Sequence, residues 1–476
     1  MPWQLSSQIP INPIHAAVGR TGKVLFFAGS GNVETQVAYN NSPEGVRLWD
    51  PNNPTVFTTP TIPRDSNGNP IDLFCAGHSF RADGQLFVAG GTLRYDPFYG
   101  IPDSFVFNFT GNNGNGTWTK VASMYRGRWY PTVLTLGDGR IFSLSGLDIS
   151  GGLDRNPEIF NGSSGWKIFT QPTSYLALYA HLILLSSGKL FYTGAQLGGN
   201  NGVSPRILTL PSKFNRAIAE QSVSGLQNAS YGNQAASVLL PPAQDQKVMI
   251  IGGGDGGTAT NRVNVVNLSN STNYTAVASL NYARMHHNAV LLPDRTVFVC
   301  NGSGGEENIS LSTLPAEIYN PATNTWTAVE TPIVNGRVYH SVAVLLPDGR
   351  VVAAGGNPQR GTYENRIEIY SPAYMSQTRP VISSAPAATN YSRTITIQTN
   401  QPATNIKWVH LIRPMATTHG LDTEQRVVDL PISSRSGNSL SVQITGNRNI
   451  APPGYYMLFV VDNNNVPSVA SWIQLT

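Results

Sequence analysis

Charge is scarce. Only 12% of the 476 residues are Asp, Glu, Lys or Arg, against roughly a quarter in an ordinary soluble domain. The 31 basic and 27 acidic residues leave +4. So small a surplus over so long a chain gives no concentrated field, which argues against a nucleic-acid partner. Cysteine is scarcer still. Two residues, Cys75 and Cys300, exclude a disulfide framework and a multi-cysteine zinc site. No apolar run approaches the roughly 20 residues of a membrane helix, so no membrane association is expected. The opening MPWQLSSQIPINPIHAAV has no basic segment followed by an apolar one, so it does not read as a signal peptide. The low charge and polar uncharged composition nevertheless suit an extracellular or cell-envelope protein, and a monomer is expected.

Helical periodicity is almost missing as well. What is abundant is glycine (46) and proline (33), arranged in a recurring unit: an apolar strand, a tight turn, a second apolar strand, a Gly pair. It appears as HSFRADGQLFVAGG, PTVLTLGDGRIFSLSG, NAVLLPDRTVFVCNG and SVAVLLPDGRVVAAGG, among others. A further strand with an aromatic end usually follows, as in PEIFNG, AEIYNP and IEIYSP. Turn positions fall at Gly22, Gly84, Gly139, Gly188, Gln246, Arg295 and Gly349. Seven units of about 50 residues, each with four strands, are the pattern of a kelch-type β-propeller. The fold expected is therefore all-β: a seven-bladed propeller over residues 1–375, with the opening segment supplying a strand to the last blade. After Tyr374 comes a Ser/Pro/Ala-rich stretch and then short strands at regular spacing, which predict an immunoglobulin-like β-sandwich over residues 376–476.

In a propeller the first strand of each blade lines the central channel. Three of these strands begin alike, with GRWYPT (127–132), ARMHHN (283–288) and NGRVYHS (335–341). Arg, one spacer, then Tyr or His sets Tyr130, His286 and Tyr339 in equivalent positions near the axis. His78 and His181 precede other blade turns, so five of eight histidines (with His287 and His340) lie near innermost strand starts. Such enrichment suggests a polar axial site able to bind metal, although His78 and His181 read individually as structural. Side chains of neighbouring strand residues point to opposite faces. For Tyr339 and His340 to reach one metal, the strand must be irregular where it starts.

On these segments the chain resembles the copper radical oxidases, the family of galactose oxidase and glyoxal oxidase. DLFCAGHSFRADGQLFVAGG is similar to the segment carrying the cross-linked cysteine, which gives Cys75 that role. RGRWYPT is similar to that of the radical tyrosine (Tyr130). RVYHSVAVLLPDGRV is similar to the axial tyrosine and equatorial histidine (Tyr339, His340). LIRPMATTHGLDTEQR is similar to the segment of the last histidine ligand (His419). The resemblance implies copper held by Tyr130, Tyr339, His340 and His419, and a self-processed Cys75–Tyr130 thioether that stores a radical. It also implies that a loop of the C-terminal domain carries His419 into the propeller channel. Imidazole and oxygen donors suit Cu(II). Copper is a one-electron centre and alcohol oxidation removes two electrons, so the tyrosine is the second store. Tyr339 is the implied general base, O2 the acceptor and H2O2 the product.

The segment SLSGLDISGGL (143–153) has no aromatic residue, whereas the sugar-oxidising branch carries a shielding tryptophan there. RWYPT and LALYAHLILLSSGKLF are closer to the glyoxal oxidase branch. Trp129, or Tyr95, Phe98 and Tyr99 of GTLRYDPFYG, are the alternative shields, and His286 is a second candidate for substrate contact. The expected substrates are small aldehydes, as hydrates, or primary alcohols. The rival reading is a non-catalytic kelch propeller that binds protein or glycan through its rim loops.

Overall fold

The computed structural model describes residues 2–31, 45–95, 97–198, 202–312, 314–357 and 362–476. Among these, residues 3–370 contribute four strands to each of seven antiparallel sheets, one of which gains two strands from residues 416–422, besides two small two-stranded sheets. The sheet of Asn288–Leu291, Val297–Cys300, Glu317–Asn320 and Thr325–Ala328 is representative. Its first two strands are wholly buried and the fourth mostly exposed. That is why the sequence shows continuous apolar runs rather than alternation: the inner strands are covered on both faces. The last sheet, Ser341–Leu345, Val351–Gly355 and Arg366–Tyr370, takes its fourth strand from Trp3–Gln8 at the start of the chain, with Trp3 opposite Tyr370.

All seven turn positions read from the sequence adopt left-handed backbone, from Gly22 (φ 80°) to Gly349 (φ 90°). Five are glycine, which enters that region without strain. Gln246 (φ 54°) and Arg295 (φ 68°) enter it despite a Cβ. These turns abut the C-terminal part of the chain. Asn447 donates to Ser186 C=O, Gln244 to Asp429 C=O, and Arg379 to Asp348 C=O.

That C-terminal part has a four-stranded and a five-stranded sheet. Ile397, Leu440 and Val442 of one share a core with Val409, Leu411, Leu458 and Ile473 of the other. One of its segments leaves the sheets. Ala416–Thr418 pairs antiparallel with His15–Ala17 of the first seven-sheet unit. Thr423 donates to Val133 C=O, Glu424 accepts from Ser79, and Gln425 donates to Ala289 C=O. Ala416–Thr418 also lies against Ser341–Leu345, so residues 416–425 touch the innermost strands of five sheets.

Candidate metal centre

The loops that enter the innermost strands share an uncommon backbone. Cys75 (φ 62°), Tyr130 (63°), Gln234 (56°), His286 (58°) and His340 (65°) are left-handed, and so is His419 (53°) on the inserted segment. Each such residue costs about 1–3 kcal/mol unless its surroundings enforce it, and they concentrate at functional sites. Here one loop holds the next. Tyr130 N–H donates to Cys75 C=O (3.0 Å), Tyr179 N–H to Tyr130 C=O (3.0 Å) and His286 N–H to Gln234 C=O (3.1 Å).

The Arg of each Arg-x-(Tyr/His) motif is a buried brace. Arg128, Arg284 and Arg337 pair with Glu158 (3.1 Å), Glu317 (2.9 Å) and Glu368 (2.7 Å) on the third strand of their own sheets. Each guanidinium also donates to two backbone carbonyls. Each carboxylate accepts from two backbone amides of the entering loop, such as Ile333 and Val334 for Glu368. The glutamates went unread in the sequence, although E-I-(F/Y) recurs in PEIF, AEIY and IEIY. Removing one partner of a buried pair strands the other's charge. Glu368→Ala is therefore expected to cost about 3–5 kcal/mol in a denaturant titration, with loss of order at 333–340. Asp138→Ala, from the exposed Arg140–Asp138 pair, is expected to cost under about 1 kcal/mol. Equal costs for the two variants refute the brace.

Above this frame four donors converge. The hydroxyls of Tyr130 and Tyr339 are in hydrogen-bond contact. The His340 and His419 rings lie 4.5 Å apart, nearly perpendicular, and His419 is 4.9 Å from Tyr130 and 5.4 Å from Tyr339. One donor atom each from Cys75, His340 and His419 lies within 4.8 Å of the others, with Cys75 Sγ 3.8 Å from His419 Nε2. The strand start is irregular in the way a shared metal requires. With φ of 65° at His340, the Tyr339 and His340 rings stack on the same side, 3.7 Å apart. Tyr130, His340 and His419 are buried, and Tyr339 keeps partial exposure, which leaves an approach from solvent. Among the described residues Nε2 of His340 has no hydrogen-bond partner. A buried, unpartnered imidazole nitrogen beside two phenols is a donor set that fits copper.

Trp129 stacks on Tyr130 (3.6 Å, 10°), and Phe98 stacks on Trp129 (4.2 Å, 14°). Tyr95 meets Phe98 (5.1 Å) and lies parallel to Phe74 (5.5 Å), whose edge faces His340. Tyr99 is not part of this stack. It packs against Gly151 and beneath the Arg94 guanidinium. His286 stands edge-on to Tyr339 at 5.4 Å. His78 is stacked edge-on to His15, and His181 bonds Ser237. Two neighbours escaped the sequence reading. Tyr179 lies 4.5 Å from Tyr130 and donates to Ala76 C=O (2.7 Å); its place before a strand in LALYAHLIL parallels that of Tyr130. His15, 6.2 Å from His419, starts the first inner strand in NPIHAAV.

Burial pushes every histidine down. His78, His181, His286, His340 and His410 fall to about 3 from an ordinary 6.5. His15, His287 and His419 also fall, by burial and neighbouring imidazoles. Such a group takes up a proton on unfolding between pH 6.5 and 3, so its stability contribution is full above 6.5 and lost as pH falls. Asp72, Glu307 and Asp422, pushed up to about 7 by burial, act oppositely, losing stability as pH rises from about 4 to 7. Burial raises Glu158 and Asp294 as well, but eight histidines outweigh five carboxyls. The thermal midpoint of copper-free protein is therefore expected to fall steadily from pH 6.5 to 4.5; a flat or rising profile overturns this.

The family models agree with this geometry. Residues 69–374 match Glyoxal oxidase N-terminus, and residues 379–475 match Galactose oxidase-like, Early set domain. The chain is 29% identical to galactose oxidase of Gibberella zeae, over all of this chain and 70% of that one. It is 26% identical to aldehyde oxidase GLOX of Vitis pseudoreticulata, over 98% of this chain and 95% of that one. A fungal alcohol oxidase of the AA5 family, solved in complex with copper, superposes with a TM-score of 0.83 at 24% identity, covering 100% of this chain and 99% of that one; that likeness shows the shared fold. With the glyoxal oxidase match spanning most of its length, the chain belongs to the copper radical oxidases, the family of glyoxal and galactose oxidases, and is a copper-dependent oxidase.

Proposed function

We propose that this protein oxidises small aldehydes, as hydrates, or primary alcohols, passing two electrons and two protons to O2 to give H2O2. The observation that carries the reading is the meeting of the Tyr130 and Tyr339 hydroxyls with the His340 and His419 rings at one part-buried point. The seven sheets of residues 1–375 are the blades of a closed propeller, and residues 376–476 are the sandwich whose inserted segment fills its axis. Tyr130, Tyr339, His340 and His419 hold the copper. Bound there, copper supplies one of the two oxidising equivalents and lowers the pKa of a coordinated hydroxyl.

The chain's own residues do the rest. Tyr339, the partly exposed phenol, accepts the hydroxyl proton of the substrate. Tyr130, joined to Cys75 through a thioether, stores the other equivalent and takes the hydrogen atom from the adjacent carbon. Trp129, stacked on Tyr130 and backed by Phe98, keeps water from that ring, the task an aromatic in 143–153 performs in the sugar branch. His286 borders the approach to Tyr339.

Two measurements test this together. Peptide mapping after incubation with Cu(II) in air is expected to yield a joined Cys75–Tyr130 peptide two hydrogens lighter than its parts. A peroxide assay over glyoxal, methylglyoxal, glycolaldehyde, glycerol and galactose is expected to respond to the small aldehydes and alcohols. Free Cys75 and Tyr130 with copper bound refute the radical cofactor. A cross-linked protein silent on all five refutes the substrate class.

A further inference from the structure

We propose that Asn357 and Thr418 fix His340 and His419 in one tautomer, with hydrogen on Nδ1 and a bare Nε2 turned to the copper. The inference rests on reading these histidines as the ligands. A neutral imidazole bears one N–H, and the partner of one nitrogen decides which nitrogen is left to bind metal.

At His340 the partner is an amide oxygen. Asn357 Oδ1 lies 2.6 Å from His340 Nδ1 and 2.7 Å from Asn12 Nδ2. Asn12 Nδ2 only donates, and it is oriented by a second bond to Gly31 C=O (3.3 Å). The atom it faces on Asn357 must accept. The Asn357 amide nitrogen is turned away, toward Thr362 C=O. His340 Nδ1 therefore donates, and its Nε2 is the unpartnered nitrogen. Asn357 N–H also donates to Tyr339 C=O (2.6 Å), so one residue holds both members of the Tyr339–His340 pair.

At His419 the partner is a hydroxyl, which could donate or accept. Its single proton is committed. Thr418 Oγ1 lies 3.1 Å from Ile14 C=O, which only accepts, and 2.6 Å from His419 Nδ1. Both contacts are met together only with the proton on the Ile14 side, so toward His419 the oxygen accepts and Nδ1 carries hydrogen. An amide and a hydroxyl, on different segments, impose the same tautomer. The contrast is with His15 and His78, where neither ring nitrogen has a partner among the described residues. Asn357 and Thr418 are positioning residues.

The experiment uses copper-free protein labelled with 15N in histidine, with H340Q and H419Q assigning the two rings. The expected wild-type spectrum shows both rings protonated at Nδ1. N357L and T418V, which remove the acceptors, are expected to shift their own ring toward the Nε2–H form. N357D and T418S, which keep an acceptor oxygen, are expected to retain Nδ1–H. In chelator competition N357L and T418V are expected to lose about 10–100-fold in copper affinity, the usual cost of such a partner, with N357D and T418S recovering most of it. Nε2–H rings in the wild type, or unchanged spectra in both N357L and T418V, overturn the proposal. T418V is close to isosteric and decides the matter if N357L fails to fold. Undiminished copper binding by H340Q and H419Q overturns the ligand assignment instead, while the nitrogen spectra still report the tautomers.

Discussion

Cys75→Ser is expected to keep the copper and lose turnover by about 10³-fold or more, roughly 4 kcal/mol of barrier. Cys75 is fully buried among Phe74, Tyr95, Trp129 and Tyr130. Serine is smaller and leaves the loop's bonds intact, because the Cys75 contact to Tyr130 is through its backbone C=O. What serine cannot do is form the thioether proposed for Cys75 and Tyr130, which would make the Tyr130 ring easier to oxidise. A different role for the same sulfur is chemically available, since Sγ lies close to His340 and His419 and thiolate with two imidazoles is itself a copper donor set. The two roles separate cleanly. As a ligand, Cys75 gives the copper protein an intense sulfur charge-transfer band, and serine lowers copper affinity. As a cross-link partner it does neither. Burial and the nearby Asp72 carboxylate push the thiol well above its ordinary range, which disfavours thiolate before metal arrives. Copper content after dialysis, with peroxide production measured on the same sample, decides it. Retention of a tenth or more of turnover in Cys75→Ser sinks the radical reading, and copper loss points to ligation.

Much of this is legible from the sequence because the chemistry is repeated. The seven hairpin turns could be placed because each needs a left-handed residue after a short polar step, and five of seven use glycine. Tyr130, His286 and Tyr339 could be aligned because the same Arg brace precedes each. The glutamate ends of those braces were missed because a single Glu in an apolar strand resembles an ordinary edge charge. Its carboxylate is recognisable only once the entering loop's amides are seen to point at it. Asn357 and Thr418 were illegible for another reason. A lone Asn or Thr carries no pattern, and Asn12, 345 residues away, is needed to say which way the Asn357 amide faces. The stack of Phe98 and Trp129 on Tyr130 was half legible. Sequence proximity offers Trp129, Tyr95, Phe98 and Tyr99 as alternatives, but the loop's path, which stacks Phe98 on Trp129 and sends Tyr99 toward Gly151, follows from packing alone.

His419→Gly is expected to abolish tight copper binding while leaving the copper-free protein as stable as the wild type or slightly more so. The reasoning starts from the backbone. His419 holds φ of 53°, a region glycine occupies without the Cβ penalty, so the substitution relieves about 1 kcal/mol of strain. The segment does not depend on the imidazole for its place. Ala416–Thr418 is paired with His15–Ala17, Glu424 is bound by Arg413, and Thr423 is tied to Val133. An imidazole kept neutral in a buried site is also the kind of group that costs stability as pH falls, so its removal flattens the acid limb of the thermal profile. Metal binding, by contrast, would lose the ligand proposed at His419, and the affinity is expected to drop by more than the roughly 10–100-fold assigned to an outer hydrogen-bond partner. The space left has the shape of imidazole, so added imidazole is expected to restore copper binding in the glycine variant and to have no effect on the wild type. A structural histidine gives the reverse: a lowered thermal midpoint without copper, unchanged copper affinity and no rescue. That outcome removes His419 from the metal site and leaves the inserted segment as a plug of the axis rather than a carrier of a ligand.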